Sequence, residues 1–271
     1  MNRLAFAALA ALLTAPAFAA DADIDERRYG WFSGDWKLVV GASGFFAPDY
    51  VGDDHLVFNV TPLISLGKAG PEARFTSRND NISFSLFDNG PIRIGPTGKI
   101  VFSRDEDDSS DLEGLGDVPW GVELGAFAEY YPTDWLRVRA ELRHGIEAHN
   151  GFVGDVDVDA FYDVTNAVRV SGGPRVSFGS ADYFEAYYGV SGSQSVASGL
   201  PEYEPGSGFE SAGVGGAITW KATDKVTASL FGEYARLVGP AADSPLVEER
   251  GSPNQFTIGV SSTYRFDFTI P

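Results

Sequence analysis

A strict alternation of apolar and polar residues, repeated along most of the chain, is the feature that most constrains its fold. It is clearest between Trp135 and Arg143, where the two kinds of side chain separate completely. The apolar set is Leu136, Val138, Ala140 and Leu142, and the charged set is Arg137, Arg139, Glu141 and Arg143. A period of two places alternate residues on opposite faces of a β-strand. Because similar stretches recur with short polar breaks between them, we predict an all-β, antiparallel fold.

Such strands fit either a soluble sandwich, with its apolar face inward, or a membrane barrel, with that face toward lipid. Strand length favours the barrel, because tilted membrane strands need about 9–11 residues and soluble strands usually have about 5–6. Aromatic residues near strand ends are typical of the two interfacial girdles of a barrel. They include Trp36, Trp120, Tyr130, Trp135, Trp220, Tyr264 and Phe266. The alternation Tyr264-x-Phe266-x-Phe268 is also typical of barrels inserted into the outer membrane.

We predict a single transmembrane barrel of about twelve strands, with a range of roughly 10–14. The approximate bounds are 36–46, 55–67, 72–88, 91–103, 119–132, 135–148, 151–163, 167–179, 183–191, 208–221, 224–237 and 254–267. Segment 72–88 is the least regular, because Arg78-Asn79-Asp80 interrupts it, and a hairpin is the alternative there. This map has an internal conflict. The turns 132–134 and 222–224 both look periplasmic, yet twelve strands place them on opposite sides.

The N-terminus has the pattern of a secretory signal peptide. Arg3 precedes an apolar run from Leu4 to Leu13, and Ala17-Phe18-Ala19 fits the small-x-small cleavage rule. The run is about half of the 20 residues that a transmembrane helix requires. We therefore predict a signal peptide over residues 1–19, a periplasmic segment over 20–34 and the barrel over 35–271, located in the cell outer membrane.

The amino-acid composition excludes several classes of binding partner. The net charge is −18, which argues against nucleic acid because binding requires a basic surface. The chain has no cysteine, so neither disulfides nor a cysteine metal cluster is expected. No cofactor-binding motif is present either. The expected surroundings of the barrel are outer-membrane lipids.

Two neighbouring predicted strands carry opposite charges on their inward faces. Antiparallel pairing would place these rows side by side, where opposite charges are stabilising. One row is Arg137, Arg139 and Arg143, and the other is Asp155, Asp157, Asp159 and Asp163. The alternatives are a structural ion-pair ladder that fills a narrow lumen and a polarised pore lining that selects charged solutes.

The predicted loop between Ser103 and Pro119 is rich in carboxylates, which are ligands for divalent cations. These are Asp105, Glu106, Asp107, Asp108, Asp111, Glu113 and Asp117. The loop lacks the spacing and central glycine of an EF-hand. It is either a cation site or a solvated acidic surface.

The sequence argues against catalysis. No G-x-S-x-G element occurs, and His55, His144 and His149 are the imidazole bases that the chain offers. A metal site at His144 and His149 is conceivable, but histidines at a turn are more often ordinary surface residues. We predict a protein without enzymatic activity.

Several motifs, in matching order over roughly residues 35–268, resemble the MipA/OmpV family of outer-membrane proteins. They include Gly114-Leu-Gly-Asp117, Glu129-Tyr-Tyr-Pro-Thr-Asp-Trp135, Gly151-Phe-Val-Gly-Asp155, Gly173-Pro-Arg175, Ala197-Ser-Gly-Leu-Pro-Glu-Tyr203 and Tyr264-Arg-Phe266. The resemblance implies a scaffold that joins a lytic murein transglycosylase to a bifunctional penicillin-binding protein. It implies no catalytic residues. The alternative function is a small-solute channel or a surface adhesin.

Overall fold

Ten long strands form the wall of the molecule in the computed structural model, which describes Leu12–Leu13, residues 33–68 and residues 74–270. Three further strands are two-residue pairings. The strands are β1 (Leu12–Leu13), β2 (Gly34–Pro48), β3 (Leu56–Lys68), β4 (Ile82–Ser83), β5 (Phe87–Asp88), β6 (Ile92–Val101), β7 (Gly121–Thr133), β8 (Leu136–Ile146), β9 (Phe152–Asp163), β10 (Val168–Gly179), β11 (Gly208–Lys221), β12 (Val226–Leu237) and β13 (Asn254–Ile270).

The strands make one sheet that curls into a half-barrel, in the order β1-β3-β2-β13-β12-β11-β10-β9-β8-β7-β6-β4, with β5 also paired to β6. Every pairing of the long strands is antiparallel. The first and last long strands of the chain meet, since β2 and β13 pair from Gly34↔Ile270 to Phe46↔Ile258. The predicted all-β, antiparallel barrel class is confirmed.

The wall has inverted polarity: compared with a soluble β-sandwich, its apolar side chains face outward and its charged side chains face inward. On β7 and β8 the apolar residues face outward, and Leu124 and Leu142 are 57% and 56% exposed. The charged residues face the interior, where Arg137 and Arg143 are only 0% and 2% exposed. A soluble sandwich would bury the opposite face. Apolar side chains outside and charged ones inside are the arrangement of a barrel whose outer surface contacts lipid.

Two of the twelve predicted strands are wrong, and the other ten are confirmed within a few residues. Residues 183–191 are mostly helical, because α1 spans Ala181–Tyr188. Segment 72–88 is not one strand in its described part, since residues 74–81 enter the interior and only β4 and β5 follow. The polar triplet Arg78-Asn79-Asp80 explains this. Asn79 and Asp80 bond to inward charged residues of the wall, and Arg78 lies over two inward aromatic rings.

The helix at 181–188 also removes the conflict over sidedness. With that strand deleted, the turns 134–135 and 222–225 lie at the same end of the wall, together with the turn 164–167. We call this the turn end. The longer connections 49–55, 102–120, 180–207 and 238–253 lie at the opposite, loop end.

A cap of short helices covers the loop end. It contains α1, α2 (Gly192–Ser198), α3 (Gly239–Ala242), α4 (Pro245–Arg250) and a 3-10 helix (Ser110–Leu112). Its side chains form two buried apolar clusters. One contains Tyr50, Leu112, Leu115, Val190, Leu200 and Leu246, and the other contains Phe184, Tyr188, Leu237, Ala241 and Val247. The loops therefore have their own hydrophobic core.

A polar contact ties three parts of the cap together. The Arg250 guanidinium donates to the backbone oxygen of Asp111 at 2.7 Å and also to that of Ser198. These residues belong to α4, the 3-10 helix and α2. One side chain thus holds loops that are distant in sequence.

Some predictions fall on residues that the structure does not describe. The predicted signal peptide and the segment 20–34 lie outside the described residues except for Leu12–Leu13 and residues 33–34. Among the described helices, none combines the length and the apolar character needed to cross a membrane.

Candidate functional site

The segment 74–81 fills part of the lumen and is held by side chains from distant strands. The Phe75 ring stacks on Phe161 with ring centroids 4.7 Å apart. The Asn79 Nδ2 donates to Glu233 Oε2 at 2.6 Å. The Asn81 Nδ2 donates to Glu141 Oε2 at 2.8 Å. We call residues 74–81 the inserted segment.

Three arginines of β8 form the centre of a buried ion network. Arg137 donates to both oxygens of Asp80 at 2.7 Å and to Asp159 Oδ2 at 2.6 Å. Arg139 Nε donates to Glu141 Oε1 at 2.7 Å, and its Nη1 donates to Glu129. Each arginine therefore has two or more carboxylate partners.

Arg143 extends the same network toward the loop end. It donates to Glu123 at 2.7 Å, to Glu141 at 2.6 Å and to Asp155 at 2.6 Å. Both partners of each pair are buried except Asp155, which is 25% exposed. The removal of one buried partner therefore leaves a charge that water cannot reach. The network thus holds the β7–β9 wall in one arrangement.

The structure brings most of the predicted charge ladder together. In the β8–β9 register, Arg137 lies opposite Asp159 and Arg139 lies opposite Asp157. Asp157 instead faces Arg175 of β10, whose Nε lies 3.4 Å from its Oδ1. Asp163 lies apart at the exposed turn end, where Arg169 Nε donates to it at 2.7 Å.

The predicted ladder omitted four of the six carboxylates that bond to Arg137, Arg139 and Arg143: Asp80, Glu123, Glu129 and Glu141. Glu123, Glu129 and Glu141 alternate on the inward face of β7 and β8, so their strand pattern contained the signal. Asp80 carried no such signal, because it lies outside any long strand and 57 residues before Arg137.

Two adjoining cavities that share lining residues lie in the lumen beside the inserted segment. The first has a volume of about 720 Å³ and lies against β2, β3 and β10–β13. The second, of about 860 Å³, reaches the turn end, where residues 222–225 line it. Both are lined by Val39, Ser65, Phe75, Thr76 and Lys221, among others. The lumen is therefore accessible from the turn end.

A smaller cavity of about 240 Å³ lies under the cap. Three buried polar atoms that line it, Tyr50 Oη, Tyr187 Oη and Arg104 Nε, have no hydrogen-bond partner among the described residues. Burial raises the pKa of the Tyr187 hydroxyl to about 12 and lowers the pKa of Arg104. A polar cavity of this size has room for ordered water that would satisfy these groups.

The acidic loop is a folded part of the cap. Glu106 Oε2 accepts from the backbone N–H groups of Gly114 and Gly116, each at 3.1 Å. Asp117 Oδ1 accepts from the backbone N–H of Glu106 at 2.8 Å, and Asp108 Oδ2 accepts from Asp105 at 2.9 Å. Several carboxylates thus stabilise turns. Throughout the fully described loop, no three of its acidic residues place ligand atoms within 4.8 Å of one another.

The two histidines lie on different faces of the wall. His144 stands on the outward face of β8, against the ring of Phe152. His149 is buried, and its Nδ1 accepts from the backbone N–H of Gly151 at 3.2 Å. Its Nε2 therefore carries the proton and donates to Glu123 at 3.2 Å. In the described structure the pair does not form a metal site.

Comparison with solved structures gives distant likenesses to outer-membrane barrels. The chain is 7% identical to a NanC porin, covering 86% of this chain and 99% of that one, with a TM-score of 0.42. The chain is 11% identical to a CymD monoaromatic hydrocarbon channel, covering 89% of this chain and 90% of that one, with a TM-score of 0.40. It is also 11% identical to an outer membrane channel from Pseudomonas putida F1, covering 91% of this chain and 100% of that one, with a TM-score of 0.37. Likeness at this level carries no information about ligand or activity.

Family membership comes from the sequence itself. No curated protein matches the chain. Residues 40–266 match the family model described as MltA-interacting protein MipA. The match covers β3–β12 completely and most of β2 and β13. Together with the lipid-compatible outer face of the wall, it confirms the predicted location in the outer membrane, and the chain belongs to the MipA family.

Proposed function

We propose that this barrel acts without catalysis, as an outer-membrane docking scaffold for a lytic murein transglycosylase and a bifunctional penicillin-binding protein. The single observation that carries the proposal is the family match, because the family description names an interaction with MltA. Both ring nitrogens of His149 already have hydrogen-bond partners, and His144 stands on the outward face of β8. These two positions support a role without catalysis.

The turn end is the docking face in this proposal. Barrels of this kind have short periplasmic turns and longer extracellular loops, and murein enzymes act on the periplasmic side. The cavity that opens at the turn end is lined there by four cations, Lys37, Lys221, Lys225 and Arg265, and by one anion, Asp224. In a chain of net charge −18, such a cationic rim would attract an acidic surface of a partner.

The cap and the inserted segment favour docking over conduction. A small-solute channel needs a continuous path, whereas here a folded cap with two apolar clusters covers the loop end. A surface adhesin would use the cap itself, at the opposite end from the proposed docking face. The three functions therefore depend on different parts of the molecule.

The test is retention of a purified lytic murein transglycosylase on the detergent-solubilised barrel. The double variant Lys225→Glu/Arg265→Glu reverses two charges at the turn end and is expected to weaken retention about tenfold or more. Arg236→Glu is the matched control, because Arg236 is an exposed arginine near the loop end. It should leave retention unchanged.

Two outcomes would contradict the docking proposal. One is no retention of the transglycosylase by the folded wild-type barrel. The other is steady single-channel conductance of the wild-type barrel in planar bilayers, which would favour the channel.

A further inference from the structure

Arg78, at the centre of the inserted segment, points its guanidinium into the first lumen cavity, the one of about 720 Å³. The group lies over two aromatic rings, 4.9 Å from the ring centroid of Phe45 and 4.1 Å from that of Phe231. In the part of the chain that the structure describes, it donates no hydrogen bond. Glu233 is the nearby acid, and its Oε2 accepts from Asn79 at 2.6 Å. The donors of Arg78 are therefore oriented by two rings and unused.

The cavity that receives this group is positively charged. Its charged lining residues are four cations and two anions, which gives a net charge of +2. They are Arg78, Arg169, Arg175, Lys221, Asp163 and Glu233. This contrasts with the net charge of −18 for the whole chain. Positive charge on low-dielectric walls concentrates anions.

The rest of the lining suits a ligand that is partly apolar. Phe45, Phe75 and Phe231 supply ring surface, and hydroxyls such as Ser43 and Ser261 supply hydrogen-bond partners. The volume of about 720 Å³ lies within the range of ligand pockets, roughly 300–1,000 Å³. Apolar walls with a few convergent polar groups are the usual composition of a small-molecule site.

We propose that this cavity binds a small anion with an apolar body, whose carboxylate or phosphate accepts hydrogen bonds from Arg78. The planar guanidinium matches both oxyanions with two parallel donors. The rings of Phe45 and Phe231 hold that plane in place and contact the apolar part. The ligand enters from the turn end, through the second cavity, whose charged lining is also mostly cationic. This ligand site does not depend on the docking role, because it lies inside the lumen.

The test uses three probes of similar size on the detergent-solubilised barrel: phenylacetate, phenyl phosphate and the uncharged phenylacetamide. Binding is measured by isothermal titration calorimetry, with empty micelles as the blank. We expect saturable binding of at least one anion and binding of the amide that is about tenfold weaker or more. The two anions distinguish a carboxylate ligand from a phosphate ligand.

Arg78→Gln should weaken binding of the preferred anion about tenfold or more. Arg236→Gln is the matched control, because it removes the same charge from an exposed arginine outside the cavity, and it should bind like the wild type. Equal affinity for phenylacetate and phenylacetamide would overturn the proposal. So would unchanged affinity in folded Arg78→Gln, or anion uptake no greater than by empty micelles. If Arg78→Gln does not fold, the wild-type comparison of anion with amide decides alone.

Discussion

Asp80 and Arg137 form a two-contact ion pair, with both nitrogen-to-oxygen distances at 2.7 Å, that ties the inserted segment to the wall. Both residues are buried. The pair connects a segment outside the long strands to the centre of β8, and Arg137 also reaches Asp159 on β9. The path of residues 74–81 through the lumen therefore depends on a charge that the wall already carries.

Asp80→Asn should lower the free energy of unfolding by about 3 kcal/mol, because it leaves part of a buried arginine charge uncompensated. The readout is the temperature at which the unboiled protein in SDS converts to the mobility of the boiled form. Asp107→Asn is the control, since Asp107 is exposed on the acidic loop of the cap and lies outside the inserted segment. An equal shift for the two variants would show that the pair contributes nothing.

Gly145→Ala should destabilise the loop-end part of β8. A Cβ at Gly145 would overlap the imidazole ring of His149, and the ring would have to leave Glu123. Overpacking of this kind costs about 1–3 kcal/mol, measured by the same mobility conversion. Gly206→Ala is the control, because a Cβ there has no neighbour within 4 Å and its backbone φ is not positive. The expectation fails if Gly145→Ala behaves like Gly206→Ala.

Phe184→Ala should loosen the cap without unfolding the wall. Phe184 is fully buried in a cap cluster, and deletion of a buried phenyl group costs about 3–5 kcal/mol. Limited proteolysis of the folded barrel should then cut within residues 180–207 and 238–253 faster than in the wild type. Val196→Ala is the control, because Val196 on α2 is 88% exposed. Unchanged cleavage in Phe184→Ala would mean that the cap does not depend on this cluster.

The cap should also weaken at alkaline pH. The Tyr183 and Tyr188 hydroxyls donate to Glu210 at 2.6 Å and 2.9 Å, and burial raises the pKa of both well above its ordinary value. The folded cap keeps these protons, whereas an opened cap releases them above about pH 10. The two protonated tyrosines thus stabilise the closed cap fully below about pH 10. This stabilisation is lost as the pH rises toward their raised pKa values.

Limited proteolysis of the cap between pH 8 and pH 12 measures this effect. Tyr188→Phe should reduce the increase in cleavage above about pH 10, because one ionising group is gone. Tyr162→Phe, at an exposed tyrosine of β9, should cleave as the wild type does. Identical pH dependence in Tyr188→Phe and the wild type would contradict the assignment.

The wall could be predicted from the sequence because alternation is a local property. Leu136–Ile146 displays its whole pattern within one strand, and its partner β9 follows after one short turn. The helix at 181–188 was missed because its aromatic residues favour strands. Phe184 and Tyr188, its two buried side chains, are four residues apart, which is helical spacing that the sequence does contain.

The inserted segment could not be predicted in the same way. Its contacts join Asp80 to Arg137, Asn81 to Glu141 and Asn79 to Glu233, over separations of 57, 60 and 154 residues. Such contacts depend on how the whole sheet curls, which no local pattern specifies. The predicted charge ladder was incomplete for the same reason. It included the carboxylate partners of the β8 arginines on β9 and omitted those on β7 and on the inserted segment.

The inverted polarity of the wall is tested most directly at two adjacent positions of β13. The chain has no native cysteine, so Val260→Cys and Ser261→Cys each provide one labelling site. Val260 faces outward, and Ser261 lines the lumen cavity. A bimane label on the folded, reconstituted barrel should be quenched by brominated lipid at position 260 and much less at 261. Equal quenching at both positions, or stronger quenching at 261, would contradict a lipid-facing apolar wall.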